Sequence, residues 1–162
     1  MSELSHVAPD GSVRMVDVSG KEESLRSATV HARIRFHEQG TLDRLRSGAV
    51  VKGDVLNTAR VAGIMAAKRT SELIPLCHPV ALDNVAIDFE LLDELPGLRV
   101  VATARSRGVT GVEMEALTAA SVAALTVIDM LKSIDRWISV EELRLMEKSG
   151  GRGGVLARPA GS

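Results

Sequence analysis

The sequence predicts an α+β fold of the split βαβ, ferredoxin-like kind, an antiparallel sheet with helices packed on one face, in an oligomeric protein. Three observations carry this. Residues 28–37 alternate, with Ala28, Val30, Ala32, Ile34 and Phe36 on one face and Thr29, His31, Arg33, Arg35 and His37 on the other. Residues 85–91 and 98–107 alternate again around the turn Asp93-Glu94-Leu95-Pro96-Gly97, as two arms of a hairpin do. Residues 116–131 are apolar almost all round, and a helix of that kind is buried on every face.

Each element follows in order. The first 14 residues read as a flexible arm before the period-two strand at 28–37. Residues 42–46 suit a short helix or turn. Residues 54–69 are alanine-rich, open on the capping residue Asp54 and close on Lys68-Arg69, which complements a helix dipole. The hairpin strands come next, then a long helix over 112–134 and a last strand over 140–148. The glycine-rich end, 152–162, reads as a flexible tail after a single domain over 15–151. The order strand, helix, strand, strand, helix, strand is that of the split βαβ plan. A one-sided sheet covers only one face of the long helix, so its other face is expected to meet a second copy of the chain.

Composition sets the function classes aside. With 162 residues the chain suits one domain with a real core. Its net charge of -1 offers no general electrostatic case for nucleic acid. Phe36, Phe89 and Trp137 are the only aromatics, too few for a base-stacking platform. Cys77 is the sole cysteine, which excludes an internal disulfide and any multi-cysteine metal site, and no metal ligand set is expected. No run of eighteen apolar residues is free of charge, and the first residues lack a signal pattern, so no membrane partner and a cytoplasmic location are expected.

The chemistry-bearing residues fall in four places. In Ile74-Pro75-Leu76-Cys77-His78-Pro79 two prolines stiffen an extended loop that carries a histidine. Asp129 and Lys132, three apart, share a helix face and can tune each other's pKa; a surface ion pair is an equal reading. Lys52 precedes a helix start, a place that suits phosphate, although Gly53-Asp54 departs from the P-loop pattern and, taken alone, the segment fits a solvated turn lysine better. Glu113 and Glu115 open the long helix, where carboxylates are stabilised in any case, and Lys148 stands beside Gly150-Gly151. Lysines, an aspartate, a histidine and glutamates, without a nucleophilic triad or dinucleotide fingerprint, suit acid–base work on a phosphorylated substrate.

Several segments, taken together, resemble the cyclic pyranopterin monophosphate synthase (MoaC) family. They are Met15-Val16-Asp17-Val18-Ser19, Lys52-Gly53-Asp54-Val55, Ala66-Ala67-Lys68-Arg69-Thr70, Leu73-Ile74-Pro75-Leu76-Cys77-His78-Pro79, Thr110-Gly111-Val112-Glu113-Met114-Glu115-Ala116-Leu117 and Lys148-Ser149-Gly150-Gly151. The resemblance runs from about residue 15 to about residue 151. It implies molybdenum cofactor biosynthesis: (8S)-3′,8-cyclo-7,8-dihydroguanosine 5′-triphosphate becomes cyclic pyranopterin monophosphate, with release of pyrophosphate. It implies a hexamer, a trimer of dimers, with no resident cofactor, and leaves open whether magnesium accompanies the triphosphate. On this chain it implies catalytic roles for Asp129, Lys52 and Lys132. It implies substrate contacts for Leu76, Cys77, His78, Glu113, Met114, Glu115 and Lys148. Arg152 stands where many members carry a second lysine and keeps the charge.

One expectation follows from the helix itself. Glu115 and Asp129 are fourteen residues apart, about 21 Å along an α-helix. One nucleotide-sized ligand does not span that distance on one helix, so a site using both is expected to form between two subunits. A nucleotide-sensing module without turnover and a purely structural oligomer are the competing classes. Neither needs proton-transfer groups on an apolar helix, and the scaffold alone decides nothing.

Overall fold

The computed structural model describes residues 6–8, 10–48 and 53–159. Its elements run β1 (Ser24–Arg35), α1 (Gln39–Ser47), α2 (Val55–Ala67), α3 (Thr70–Leu73), β2 (Asn84–Leu92), β3 (Gly97–Gly108), α4 (Glu113–Leu131), β4 (Ser139–Ser149) and β5 (Leu156–Ala157). The sheet order is β2-β3-β1-β4-β5, with every pairing antiparallel. The first four strands interleave as the split βαβ plan requires, and α2 and α4 lie on one face.

Alternation places the strands. Ala28, Val30, Ala32 and Ile34 of β1 are at most 1% exposed and point at the helices, while Thr29, His31 and Arg33 lie on the open face. β1 starts at Ser24, four residues before its apolar run, because β3 continues to pair with it there, Ser24 opposite Gly108. Ladder hydrogen bonds, not side-chain burial, set that end. The tail contributes a fifth strand that the pattern did not show: Leu156 and Ala157 pair with Lys148 and Glu147 of β4.

α2 is capped as expected, with the Asp54 side chain accepting from Asn57 N–H at 3.0 Å. It lies against α4 so closely that a Cβ at Gly63 would stand 2.7 Å from the Ala119 carbonyl oxygen. Ala119, Ala120, Ala123, Ala124 and Val127 of α4 are fully buried between the sheet and α2. An eighteen-residue window of α4 has mean hydropathy 1.5, long and apolar enough to cross a bilayer, yet 56% of it is buried inside the domain. Packing identifies α4 as the core helix. Within one chain it is not covered all round, since Leu125 is 59% exposed and Leu117, Ser121 and Val122 are half-buried along the same side.

A buried carboxylate ties the two halves together. Asp135, 1% exposed, follows α4 and accepts from His37 N–H at 2.8 Å, Glu38 N–H at 3.1 Å and the Thr41 hydroxyl at 3.2 Å. Its other oxygen takes Trp137 N–H at 3.3 Å. The start of α1 is thereby held to the end of α4, where a negative charge also suits the α1 dipole.

Candidate active site

The Pro75–Pro79 loop and the start of α4 meet. Leu76, Cys77 and His78 line a cavity of about 340 Å³ together with Glu113, Met114 and Glu115. The two prolines leave Leu76, Cys77 and His78 half-buried in its wall. Cys77 and His78 both reach it, although neighbours on an ideally extended strand would point to opposite sides. The loop is turned at Cys77, whose N–H donates to the Ile74 carbonyl at 3.1 Å.

Burial governs the electrostatics. Glu115 is only 3% exposed, and burial pushes its carboxyl above the usual carboxylate range, with the Glu113 charge adding to the effect. Burial also pushes the Cys77 thiol up, and the nearby Glu115 carboxylate adds to that. Both effects favour the thiol form of this half-buried wall residue.

Lys148 reaches the same region from β4. Its Nζ stands 3.2 Å from Glu113 Oε1, so the end of β4 is tied to the first turn of α4. Two further cavities adjoin, of about 640 and 160 Å³. All three share Gly111 in their walls, and the latter two share Arg26 and Arg152. The adjoining cavities therefore have one end that carries His78 with Glu113 and Glu115, and another where Arg26 and Arg152 stand with Glu22, Glu23 and Lys148.

The N-terminal segment belongs to this site. Among residues 6–8 and 10–14, Ala8 N–H donates to Ser12 O at 2.9 Å and Val7 pairs with Val13. His6, Val16, Val18 and Lys21 line the same cavity as His78. Sequence reasoning did not assign these four to the site. Only the segment Met15-Val16-Asp17-Val18-Ser19 pointed there, and it carries no periodicity.

Asp129 and Lys132 sit elsewhere. They form an ion pair at 2.6 Å at the far end of α4, with side chains 63% and 59% exposed in the single chain. The apolar setting expected around this pair is absent from the chain by itself, because the pair projects from the side of α4 that carries exposed Leu125. Lys52 lies outside the described residues. Asp129 with Lys132, and the Leu76–His78 and Glu113–Glu115 groups, are thus at opposite ends of one helix.

Other features compete poorly. A hollow of about 460 Å³ on the open sheet face is lined by His31, Arg33, Arg99 and Arg144, but Arg99 is paired with Glu90 at 2.6 Å and Arg144 with Glu142 at 3.3 Å. Among the described residues no group of three or more His, Cys, Asp or Glu side chains is arranged to hold a metal ion.

Comparison with known proteins fits this geometry. A protein named cyclic pyranopterin monophosphate synthase from Roseiflexus castenholzii is 54% identical over 156 residues, covering 96% of this chain and 98% of the relative. Relatives with the same name from Novosphingobium aromaticivorans and Brucella ovis are 54% and 53% identical, over 96% and 95% of this chain and 97% and 93% of their own lengths. The model of the MoaC family matches residues 15–151, which reach from the Val16 and Val18 wall to the Gly150-Gly151 turn, and the chain belongs to the MoaC family.

Proposed function

We propose that this chain is a cyclic pyranopterin monophosphate synthase of molybdenum cofactor biosynthesis, acting on (8S)-3′,8-cyclo-7,8-dihydroguanosine 5′-triphosphate. The observation that carries the reading is the two-ended cleft, with His78, Met114 and Glu115 at one end and Lys148 and Arg152 at the other. A substrate with a planar base-derived part and a polyphosphate suits that division.

Making a cyclic phosphate from a triphosphate requires a substrate hydroxyl to attack the α-phosphorus. A new P–O bond forms, the α–β bridge breaks, and pyrophosphate leaves with its electron pair. In the proposed mechanism Lys52, Lys148 and Arg152 hold the phosphates and offset the developing charge. Lys132, poised by Asp129, moves protons during ring opening, reclosure and phosphate closure. His78 orients the base-derived portion, and the buried Glu115 offers a hydrogen bond in its wall.

The same proposal places Asp129 and Lys132 in the cleft of a second copy. Leu125 is exposed on the side of α4 that carries this pair, and a partner on that side would bury all three. A hexamer built as three such dimers and a cytoplasmic location complete the reading. No resident cofactor is invoked, and a magnesium ion arriving on the triphosphate would be held by phosphate oxygens.

The test is pyrophosphate release from the purified cyclised triphosphate. Release by the wild type, with the pterin product detected after oxidation and with Asp129→Ala inactive, supports the assignment. A folded protein that binds the substrate and releases nothing overturns the catalytic roles in favour of a binding module.

A further inference from the structure

Asp135 is a buried titratable group that the proposed chemistry does not use. It is 1% exposed, and among the described residues its carboxylate is met by three backbone N–H groups and one hydroxyl and by no cation. Burying a carboxylate without a counter-ion is costly unless its oxygens are well bonded. An apolar side chain of similar volume would fill a merely packed position at less cost. What the carboxylate adds is direction, since each donor reaches it from one defined place.

Two backbone segments converge on it. On one side Ile134 N–H and Asp135 N–H both donate to the Leu131 carbonyl, at 2.9 and 3.0 Å, so the chain closes back onto the last residue of α4. Lys132 is the C-cap of that helix, and its N–H donates to the Ile128 carbonyl at 2.8 Å. Asp129 and Lys132 therefore occupy the final turn, the part of a helix that frays first without an anchor. On the other side the donors belong to His37 and Glu38, between β1 and α1, and to Thr41 in the first turn of α1. Glu38, the N-cap of α1, makes no side-chain cap of its own. Asp135 thus caps α1 from beyond the end of α4. The 2.6 Å ion pair holds Asp129 and Lys132 to each other, and Asp135 holds the backbone that carries them.

We propose that Asp135 is a positioning residue for the Asp129–Lys132 pair. By bolting the last turn of α4 to the start of α1, it fixes where the Lys132 ammonium stands when it moves protons. The role rests on the synthase reading, with Lys132 as its proton carrier, and deepens it. A displacement of about 1 Å at a reacting group is enough to cost about a hundredfold in rate. A clamp outside the cleft therefore governs turnover without touching substrate.

The test uses the full chain and steady-state pyrophosphate release, at a temperature well below the thermal transition of every variant. Gly63→Ala is the control, because it strains α4 at Ala119 and leaves the last turn alone. Asp135→Ala is expected to lower kcat about ten- to a hundredfold, with KM changed less than about threefold. Asp135→Asn keeps one carbonyl oxygen and should recover most of that loss, while Gly63→Ala should leave kcat within about twofold. Hydrogen exchange read by mass spectrometry supplies the positional signal. Amides of residues 129–135 should exchange about tenfold faster or more in Asp135→Ala, and at the wild-type rate in Gly63→Ala. Should Asp135→Ala not fold, Thr41→Val, which removes one donor, takes its place, with a loss of about threefold in kcat and faster exchange in the same turn. Unchanged kcat in the folded variant, or a loss matched by Gly63→Ala, overturns the inference and leaves the synthase reading intact. Lost turnover with unchanged exchange in the last turn overturns it as well. A wild type without turnover would sink the synthase reading and this role together.

Discussion

Replacing Asp135 by alanine should be among the most damaging single changes outside the cleft. The carboxylate is 1% exposed and serves four donors: His37 N–H, Glu38 N–H, the Thr41 hydroxyl and Trp137 N–H. A donor left buried without a partner costs about 1–3 kcal/mol. His37, Glu38 and Trp137 are exposed residues, so water can reach part of the void and the four costs do not add in full. A net loss of about 3 kcal/mol is reasonable for a buried carboxylate hub stripped of its acceptors. For a domain of this size that lowers Tm by about 6–12 °C. Asp135→Asn keeps one carbonyl oxygen for the three donors on Oδ2 and should lose about half as much. Differential scanning calorimetry at fixed protein concentration reads both. The sole tryptophan, Trp137, gives a local signal for the same transition. An alanine variant melting within about 2 °C of wild type would show that the hub contributes little and that the α1–α4 tie is dispensable.

Gly63→Ala gains about 1 kcal/mol of helix propensity but forces a methyl group against the Ala119 carbonyl, so a net destabilisation of about 1–3 kcal/mol is expected in urea unfolding. Equal or higher stability would mean that α2 and α4 separate easily. Glu115 gives a pH signature. Its folded carboxyl is raised, so the stability it lends is full at acid pH and is lost as pH climbs through and above the ordinary carboxylate range. Glu115→Gln should therefore gain Tm relative to wild type at about pH 7 and show no such gain at about pH 4. A pH-independent difference would show that burial does not raise that carboxyl.

Much of the fold was readable from the chain because the central strands β1 and β3 each have one wet and one dry face. The alternation at Ala28–Val30–Ala32–Ile34 and the small apolar face of α4 are consequences of that asymmetry. What the pattern missed depends on long-range apposition. Arg26 meets Gly150 and Gly151 across more than a hundred residues, and His6 and His78, far apart in the chain, line one cavity. Asp135 sits in a polar turn and looks solvated until its four donors converge. Glu113 and Glu115 are both first-turn acids, and only packing separates the half-buried one from the fully buried one. The exposure of Asp129 and Lys132 was hidden for the opposite reason, since an apolar sequence around them does not say whether the chain's own core covers it.

The arrangement of the site between two copies is tested most directly by mixing inactive Asp129→Ala and Glu115→Ala proteins under conditions that exchange subunits, then measuring pyrophosphate release. Random pairing in isologous dimers makes half the dimers mixed, and each mixed dimer holds one intact site, so activity should return to about a quarter of wild type. Verified mixed oligomers that stay inactive would contradict a cleft built from both ends of α4.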